Sequence, residues 1–395
     1  MVGAVSLNGL LDSQETLRVN WWAMRVRKKI SACGALFFVG PLMFFSAAEM
    51  WLRAYQWMRA GVPIFEDLGR SRQNLNPNTP DEALGWRATE NHHADEVQRT
   101  AGGKSYVVRR SQDQHGFRMF GDVRSKKLKA LVIGDSFTQA RQASDGKTYY
   151  AMLKALEIEV FAYGADGYGT LQEYLILDRY LDMIQPELII WEYCSNDFIN
   201  NDYLLTAASR YNSNNGMRRP FWIDGRIVPD LPKDLFEQTR DFADRYSRFL
   251  YFIMNRLDHL HARVATSSVE IDIGKEADAH AGFQHAVRIT DELMEKVRAR
   301  VGAVPILAIS CDTEEPYTRE LKKISERHDI IFLDEAAQAV QRALQRGEDV
   351  LHADKGHWNE HGHRIVGEVL LGHLQNNSFL FARRPRGAPK ITQVQ

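Results

Sequence analysis

The sequence is poor in cysteine and almost neutral, and each of these features argues against a class of protein. Its 395 residues include three cysteines, Cys33, Cys194 and Cys311, and no Cys-x-x-Cys pair. Neither a disulfide framework nor a zinc or redox site built on such pairs is therefore indicated. The formal net charge is −1, so electrostatics give no reason to expect nucleic acid as a partner.

Internal repeats and low-complexity tracts are also absent from the sequence. The content of 44% apolar and 26% charged residues is ordinary for a globular protein. A chain of this length is long enough for one large α/β domain with additional segments, or for two smaller domains.

One long apolar run lies near the start of the sequence. Ile30 to Ala48 contain no charged residue, and as a helix they would measure about 28 Å, close to the hydrocarbon thickness of a bilayer. Four basic residues precede the run: Arg25, Arg27, Lys28 and Lys29. We predict a single-pass anchor in the lipid bilayer over residues 30–50, with a cytoplasmic tail over residues 1–29 and the rest of the chain in the periplasm or elsewhere outside the cytoplasm.

Two other interpretations of this run remain open. Ser46-Ala47-Ala48 fits a signal-peptide cleavage site, after which the protein would be secreted. A buried core helix is the other alternative, disfavoured by the length of the run and its basic flank. Translation could start at Met1, or at Met24, which would give a shorter basic segment before the run.

From Leu128 onward, apolar strands alternate with amphipathic helices. The predicted strands are Leu128–Ile133, Glu159–Tyr163, Glu187–Tyr193, Val304–Ser310 and Ile330–Leu333. The predicted helices are Tyr149–Leu156, Leu171–Ile184, Ala281–Val301, Tyr317–Arg327 and Ala336–Gln345. This pattern indicates an α/β fold with a central parallel five-stranded sheet covered on both faces.

The remaining segments complete the predicted organisation. Residues 51–127 form a linker and a small N-terminal subdomain, with a short strand over Ser105–Arg110. Residues 128–376 form the α/β domain, which contains an insertion over 198–280 with one long helix, Leu235 to His261, that could cap a substrate. Residues 377–395 form a tail.

Polar residues follow the predicted strands at the points where each strand ends. Ser136 follows the first strand, Gly164 the second and Asn196 the third, and Asp354 and His357 lie near the end of the chain. Because the carboxyl ends of parallel strands meet at one edge of a sheet, we expect these residues to lie close together.

These residue types match the requirements of nucleophilic catalysis. The Ser136 hydroxyl needs a base, which His357 can supply, and Asp354 can fix the tautomer of that imidazole and stabilise its charged form. The backbone N–H groups of Ser136 and Gly164 and the side-chain amide of Asn196 can form an oxyanion hole.

The same residues resemble the four sequence blocks of the SGNH family of GDSL-type hydrolases. Ser136, Gly164, Asn196 and His357 match the positions that name the family, and Asp354 matches the acid of its Asp-x-x-His block. The resemblance covers about residues 128–375 and implies a three-layer, flavodoxin-like fold and ester chemistry. Two positions depart from the motifs: Phe137 stands where the family has Leu, and Cys194 where it has Gly.

Within the family, the chain looks like membrane-anchored bacterial enzymes associated with exopolysaccharide acylation. Four short motifs carry this closer resemblance: His115–Arg118, Gly167–Thr170, Arg219–Phe221 and His357–Asn359. It implies an acylated carbohydrate as substrate, and we consider Asp135 and Trp358 as substrate-binding residues, although Trp358 also suits core packing.

Two further patterns concern sulfur and metal. Cys194 and Cys311 each end an apolar run, so they could form a disulfide between neighbouring strands or remain two buried thiols. His357 to His361 fit the H-x-x-E-H pattern of a metallopeptidase class, but Gly356 and Gly362 disfavour the continuous helix that such a site needs. We predict no metal and no cofactor.

The sequence therefore predicts a serine esterase that removes or transfers a short acyl group, such as acetyl, on a carbohydrate through a Ser136 acyl-enzyme. A lipase or thioesterase acting on longer acyl chains is one alternative. A non-catalytic polysaccharide-binding factor that retains the fold is the other.

Overall fold

The computed structural model describes residues 39–58, 64, 77–209, 219–229, 235–264 and 268–377. The chain divides into two compact units. The first comprises Met1–Ser71 with Leu235–His259, and the second Arg72–Asp234 with Leu260–Gln395. The predicted cytoplasmic tail, residues 30–38 of the predicted anchor and residues 378–395 of the C-terminal tail lie outside the described residues.

The strands of the described chain are β1 (Asn78–Asp81), β2 (Gly85–Ala88), β3 (His93–Arg99), β4 (Ser105–Ser111), β5 (Met119–Phe120), β6 (Lys129–Gly134), β7 (Glu159–Gly164), β8 (Leu188–Tyr193), β9 (Phe221–Ile223), β10 (Arg226–Val228), β11 (Ile306–Ser310) and β12 (Ile331–Leu333). The central sheet has the order β12-β11-β8-β6-β7-β5. All its strands are parallel except β5, which pairs antiparallel with β7 at the edge.

The five parallel strands therefore follow the order 2-1-3-4-5 of a doubly wound α/β sheet. The predicted central parallel sheet is confirmed, and β5 extends it to six strands. The hairpins β1–β2, β3–β4 and β9–β10 form separate two-stranded sheets.

The helices of the described chain are α1 (residues 39–58), α2 (Ser136–Gln139), α3 (Thr170–Ile184), α4 (Asn196–Asn201), α5 (Tyr203–Ala208), α6 (Leu235–Tyr246), α7 (Arg248–Val264), α8 (Val269–Glu276), α9 (Ala281–Val301), α10 (Tyr317–Arg327), α11 (Glu335–Gln345) and α12 (Glu360–Asn376). Tyr149–Leu156, predicted as an ordinary helix, is a 3-10 helix.

Side chains alternate along β6 between the two faces of the central sheet, as the period of a strand requires. Leu131 and Ile133 pack in one apolar cluster with residues of α3, α9 and α10. Ala130 and Val132 pack in a second cluster with residues of α11 and α12. The sheet is thus the middle of three layers, which explains why β6 and β8 are apolar at almost every position.

The described part of the predicted N-terminal subdomain is not a separate body. Leu84 and Trp86 lie in the same apolar cluster as Leu131 of the central sheet, and the indole N–H of Trp86 donates to the carbonyl of Asp166 (2.9 Å). Residues 77–127 thus belong to the same compact unit as the central sheet and contribute to its core.

The first unit contains α1, α6 and the beginning of α7. The single helix predicted from Leu235 to His261 is broken at Ser247, whose hydroxyl accepts the N–H of Leu250 (3.0 Å) and so caps α7. The residues of the predicted insertion over 198–280 are divided between the two units, with Leu235–His259 in the first and the remainder in the second. Within the residues that the structure describes, no helix combines the length and the apolar character needed to cross a membrane.

A disulfide joins the ends of two neighbouring strands of the central sheet. Cys194 directly follows β8 and Cys311 directly follows β11, and their Cα atoms are 5.2 Å apart. Of the two states left open by the sequence, the structure has the disulfide. It closes a loop with a sequence separation of 117 residues, and long loops are where a cross-link limits the unfolded chain most.

Replacing both Cys194 and Cys311 by Ala should lower the free energy of unfolding of the α/β unit by about 2–4 kcal/mol, because the unfolded chain gains freedom. Urea denaturation followed by fluorescence measures this change. A reductant should destabilise the parent protein but leave the double variant unchanged. A double variant as stable as the parent would contradict the expected contribution of the disulfide.

Candidate active site

Ser136 lies at the carboxyl end of β6, where a strand turns directly into a helix. Gly134 ends the strand, and Asp135 is the N-cap of α2, with its carboxylate accepting the N–H of Phe137 (3.0 Å). This cap fixes the first turn of α2, on which Ser136 is the first residue. The turn places the serine at the topological switch point between β6 and β8, where doubly wound sheets bind ligands.

The other end of α2 is held by a buried arginine. The guanidinium of Arg118 donates to the carbonyls of Ala140 (2.7 Å) and Ala143 (3.0 Å), and also to that of Gln139. The Gln139 carbonyl is one of those that a helix end leaves without a partner inside the helix, and the other two belong to the turn that follows. Arg118 therefore positions the segment that follows the serine.

Gly164 ends β7 and allows α2 to pack against that strand. A Cβ atom at this position would lie 2.4 Å from the amide nitrogen of Gln139 and 2.5 Å from the carbonyl oxygen of Asp135. Both contacts are with backbone, which cannot move aside without displacing Ser136. The predicted glycine thus has a steric requirement in addition to its proposed role as an oxyanion donor.

The structure brings Ser136, His357 and Asp354 together, although the serine and the histidine are 221 positions apart in sequence. His357 Nε2 lies 2.9 Å from Ser136 Oγ, and His357 Nδ1 lies 2.9 Å from Asp354 Oδ2. The other carboxylate oxygen of Asp354 accepts the N–H groups of Gly356 (2.9 Å) and His357 (3.0 Å). This is the arrangement of nucleophile, base and orienting acid that activates a serine.

A second histidine, which the sequence prediction did not include in the site, also contacts the acid. His352 Nδ1 lies 2.9 Å from Asp354 Oδ2. The backbone on either side of His352 is held by the β3–β4 hairpin, since Ala353 N–H donates to the carbonyl of Arg99 (2.9 Å) and Ala101 N–H donates to that of Leu351 (2.9 Å). The hairpin therefore supports the loop that carries Asp354 and His357.

The pKa values of the acid and the base shift in opposite directions. Burial raises the pKa of Asp354, but the hydrogen bond and positive charge of His357 and the N–H of Gly356 lower it to a net value below its usual range. Burial lowers the pKa of His357, but the hydrogen bond and charge of Asp354, followed by the charges of Asp166 and Asp135, raise it to a net value above its usual range. The imidazolium is therefore stabilised when it forms.

Asn196 follows β8 as the first residue of α4, beside the serine. One N–H of its side-chain amide donates to Asp135 Oδ2 (3.3 Å), and the amide has a second N–H available for another acceptor. The structure therefore places Ser136, Gly164 and Asn196 around one edge of the sheet, as the sequence predicted.

The structure corrects the two predicted substrate-binding residues. Asp135 is 2% exposed and its carboxylate is bonded to the backbone of Phe137 and to Asn196. Trp358 is 1% exposed, and its ring packs against those of Phe137 (4.6 Å between centroids) and Tyr149 (6.2 Å). Asp135 is thus part of the support for Ser136, and Trp358 is a core residue with no face for a sugar.

Three acidic side chains lie buried behind Ser136 and were not predicted. Glu192 accepts the Asp135 N–H (3.2 Å) and the Thr138 hydroxyl (3.1 Å). Glu173 accepts the indole N–H of Trp191 (2.6 Å), and Asp197 accepts the N–H of Cys194 (3.1 Å). Burial, together with their mutual proximity, raises the pKa of each of the three carboxyl groups. The only sign of such a buried acid in the sequence is an acidic residue within an otherwise apolar run, as for Glu192 in β8.

Asp166 and Arg141 form an ion pair near the imidazole. Arg141 Nη1 lies 2.8 Å from Asp166 Oδ2, and the negative charge of Asp166 contributes to the raised pKa of His357. Asp166 belongs to the segment after β7 that the sequence had indicated, but its electrostatic contribution depends on a distance that no sequence pattern gives.

The residues of the H-x-x-E-H pattern do not converge on a common point. α12 begins at Glu360, so His357 lies outside the helix and faces Ser136, whereas His361 Nε2 lies 3.3 Å from Glu348. Among the residues that the structure describes, the one group with clustered metal-ligating types joins Glu192 to Cys194 and Cys311. Both of those sulfur atoms are in the disulfide.

No family model and no curated protein matches the sequence. The structure is similar to a lipase/acylhydrolase from Enterococcus faecalis, with 14% identity over 63% of this chain and 96% of that chain and a TM-score of 0.35. It is similar to a catalytic mutant of an acetylxylan esterase from Geobacillus stearothermophilus, with 16% identity over 62% and 94% of the chains and a TM-score of 0.36. It is also similar to a family 3 carbohydrate esterase from Clostridium thermocellum, with 11% identity over 65% and 98% and a TM-score of 0.35.

Replacing Gly164 by Ala should displace α2 and reduce turnover of an aryl ester by at least about 10²-fold, because an ångström-scale misplacement of a reacting group has an effect of that size. Steady-state kinetics measures the loss. Gly146→Ala is the matched control, since a Cβ at Gly146 meets no atom within 4 Å. Equal activity of the two variants would show that the Gly164 contact does not position the serine.

Replacing Asp166 by Asn should move the acidic limb of the pH profile of kcat/KM to lower pH. The parent enzyme loses its neutral base as the pH falls through the raised pKa of His357, and removing a negative charge lowers that pKa. Asp122→Asn, in an exposed turn, is the control and should leave the profile in place. A limb that stays in place, or that moves to higher pH, in Asp166→Asn would contradict the electrostatic account.

Proposed function

We propose that the protein is a serine esterase of the SGNH type in which Ser136 is the nucleophile, His357 the general base and Asp354 the acid that orients the base. The observation that carries this proposal is the continuous relay of two 2.9 Å contacts from Ser136 Oγ through His357 to Asp354. A histidine on the surface, or a serine in an ordinary turn after a strand, would not require this chain of contacts. A non-catalytic binding protein would not need it either.

The proposed reaction has two steps. Ser136 Oγ attacks the ester carbonyl while its proton passes to His357 Nε2, and the N–H groups of Ser136, Gly164 and Asn196 stabilise the oxyanion. The tetrahedral intermediate collapses when His357 returns the proton to the leaving alcohol, which gives the acyl-enzyme. His357 then takes the proton of an incoming hydroxyl, the oxygen of which attacks the acyl carbonyl, and returns that proton to Ser136 Oγ as the bond between the acyl group and the serine breaks.

The proposed substrate is a carbohydrate that carries a short acyl group such as acetyl. The support for this class is the resemblance of the sequence motifs to anchored enzymes that act on exopolysaccharide. The incoming hydroxyl is that of water in hydrolysis and that of a sugar in transfer, and both reactions use the same three residues.

The proposed location of the site is outside the cytoplasm, with residues 30–50 as the anchor in the membrane. The Cys194–Cys311 disulfide supports this location, because disulfides persist in the periplasm and outside the cell and are rare in the cytosol. The charge-free run from Ile30 to Ala48 and its basic flank support the orientation.

Replacing Ser136 by Ala should reduce hydrolysis of an aryl acetate by about 10⁴–10⁶-fold, because no other group can form the acyl-enzyme. The same variant should lose labelling by a fluorophosphonate, which reacts with activated serines. Ser195→Ala is the matched control, because Ser195 is near the site and its side chain makes no capping hydrogen bond. Full turnover in Ser136→Ala would contradict the assignment of the nucleophile.

The acyl acceptor and the acyl length are tested with the same full-length protein. Incubation with an aryl acetate and an oligosaccharide gives acetylated sugar if the enzyme is a transferase and free acetate alone if it is a hydrolase. Preference for long acyl chains over acetyl would favour the lipase or thioesterase alternative. A parent protein that reacts with neither ester nor fluorophosphonate would favour the binding factor.

A further inference from the structure

The first unit exposes an unusually large apolar surface on α1. Every residue from 39 to 47 is exposed, and none of them is charged. Leu42 is 67% exposed and Phe44 is 64% exposed. Such a surface is costly in water, because each exposed large apolar side chain forgoes the favourable free energy of burial.

The two other helices of this unit each expose an apolar stripe. On α6, the exposed large side chains among those that the structure describes are Leu235, Phe242 and Tyr246, which are spaced by seven and four residues and so lie on one side of the helix. On α7, the exposed large side chains that the structure describes are Phe252, Ile253, Leu257 and Leu260, which also share a side. Exposed side chains this large, on three helices of one unit, indicate a surface that normally faces an apolar phase.

A polar junction attaches the corner between α6 and α7 to α1. The carboxylate of Glu49 accepts the backbone N–H groups of Arg248 (3.1 Å) and Phe249 (2.8 Å) and the Ser247 hydroxyl (3.0 Å). Glu49 also pairs with Arg53 (2.6 Å), the guanidinium of which donates to the carbonyl of Tyr246 (3.0 Å).

Glu49 is the first charged residue after the long apolar run, so this junction lies where the run ends. Next to it, the ring of Phe249 packs edge-on against that of Phe45, with 5.3 Å between centroids. The corner between α6 and α7 is therefore fixed both to the last apolar turn of α1 and to its first charged turn.

We propose that α6 and α7 lie in the plane of the membrane interface and insert their apolar stripes into the bilayer beside the anchor. The inference rests on the proposed anchor and not on the proposed chemistry. An anchor alone does not require apolar stripes on α6 and α7, which lie almost 200 positions further along the chain. The hydrogen bond between Glu49 and Phe249, for example, joins residues that are 200 positions apart.

Three observations favour lipid over a protein partner as the occupant. The stripes are joined through Phe45 and Phe249 to the charge-free run that is already long enough for a bilayer. Trp51 and Tyr55 stack on α1 at 5.6 Å, and such aromatic residues are typical of the membrane–water boundary. The guanidinium of Arg256 lies 5.1 Å from the centre of the Phe252 ring, so the same face offers a cation to lipid phosphates beside an apolar group.

The test measures how deeply single positions enter the bilayer in the full-length protein. Cys33 is replaced by Ser, and one cysteine at a time is introduced at Phe242, Ile253 or Leu257 and labelled with a small fluorophore. Leu42→Cys reports the anchor, and Val97→Cys, on the exposed face of β3 in the other unit, is the matched control. The proteins are reconstituted in vesicles of phosphatidylethanolamine and phosphatidylglycerol, with or without brominated acyl chains.

Brominated lipid should quench the label at Phe242, Ile253 and Leu257 at least half as strongly as at Leu42, and should leave the label at Val97 unaffected. Aqueous iodide should give the reverse order. Quenching by brominated lipid at Leu42 alone, with Leu257 open to iodide, would overturn the proposal and keep the anchor. Protection of Leu257 from both quenchers would also overturn it, because a protein surface would then cover α7.

Discussion

The close packing of α2 against the end of β7 is the constraint on which the candidate site depends. Gly134 and Gly164 pair in register on β6 and β7, and the backbone of α2 passes within contact distance of the place where a side chain at Gly164 would be. Arg118 fixes the carbonyls at the other end of the same short helix. The position of the Ser136 hydroxyl is therefore set by backbone contacts, which are stiffer than contacts between side chains.

Electrostatics then determine how the base behaves. Asp354 contacts the imidazole of His357 directly, and the more distant charges of Asp166 and Asp135 act in the same direction. A positive charge on His357 is consequently favoured at the moment when it accepts the serine proton. Glu192 and Asp197 are buried and carry raised pKa values, so their neutral forms are favoured and they add less negative charge than their number suggests.

Much of this arrangement could be predicted from the sequence, because it follows from the alternation of apolar strands with amphipathic helices. β6 and β8 are continuous apolar runs, and runs of that kind occur where a parallel strand is covered on both faces. Ser136, Gly164 and Asn196 each follow such a run, so the topology of the sheet alone brings them to one edge. The loop with Asp354 and His357 follows no predicted strand, and its place in the site was predicted from the need of a serine nucleophile for a base and an acid and from the matching family motif.

The features that could not be predicted depend on contacts distant in sequence. The hairpins β1–β2 and β3–β4 are short and partly polar, and the sequence does not show that β2 packs in the main core or that the β3–β4 hairpin bonds to the loop before His357. The amphipathic pattern continues before and after Ser247, so the pattern does not reveal the break in the helix. The cap formed by the Ser247 hydroxyl involves a single residue, which is too weak a signal to predict the break from the sequence. Trp358 follows the base immediately in the sequence, but packing against Phe137 turns it into the core.

The central claim is that an acyl group passes through Ser136, and the most direct measurement is the chemical identity of the trapped intermediate. The full-length protein is mixed with an aryl acetate, quenched in acid within the first turnover and digested, and the peptides are sequenced by mass spectrometry. We expect one acetylated peptide, with the modification on Ser136. Release of the aryl alcohol in the first turnover without acetylation of Ser136, or with acetylation of another residue, would contradict it.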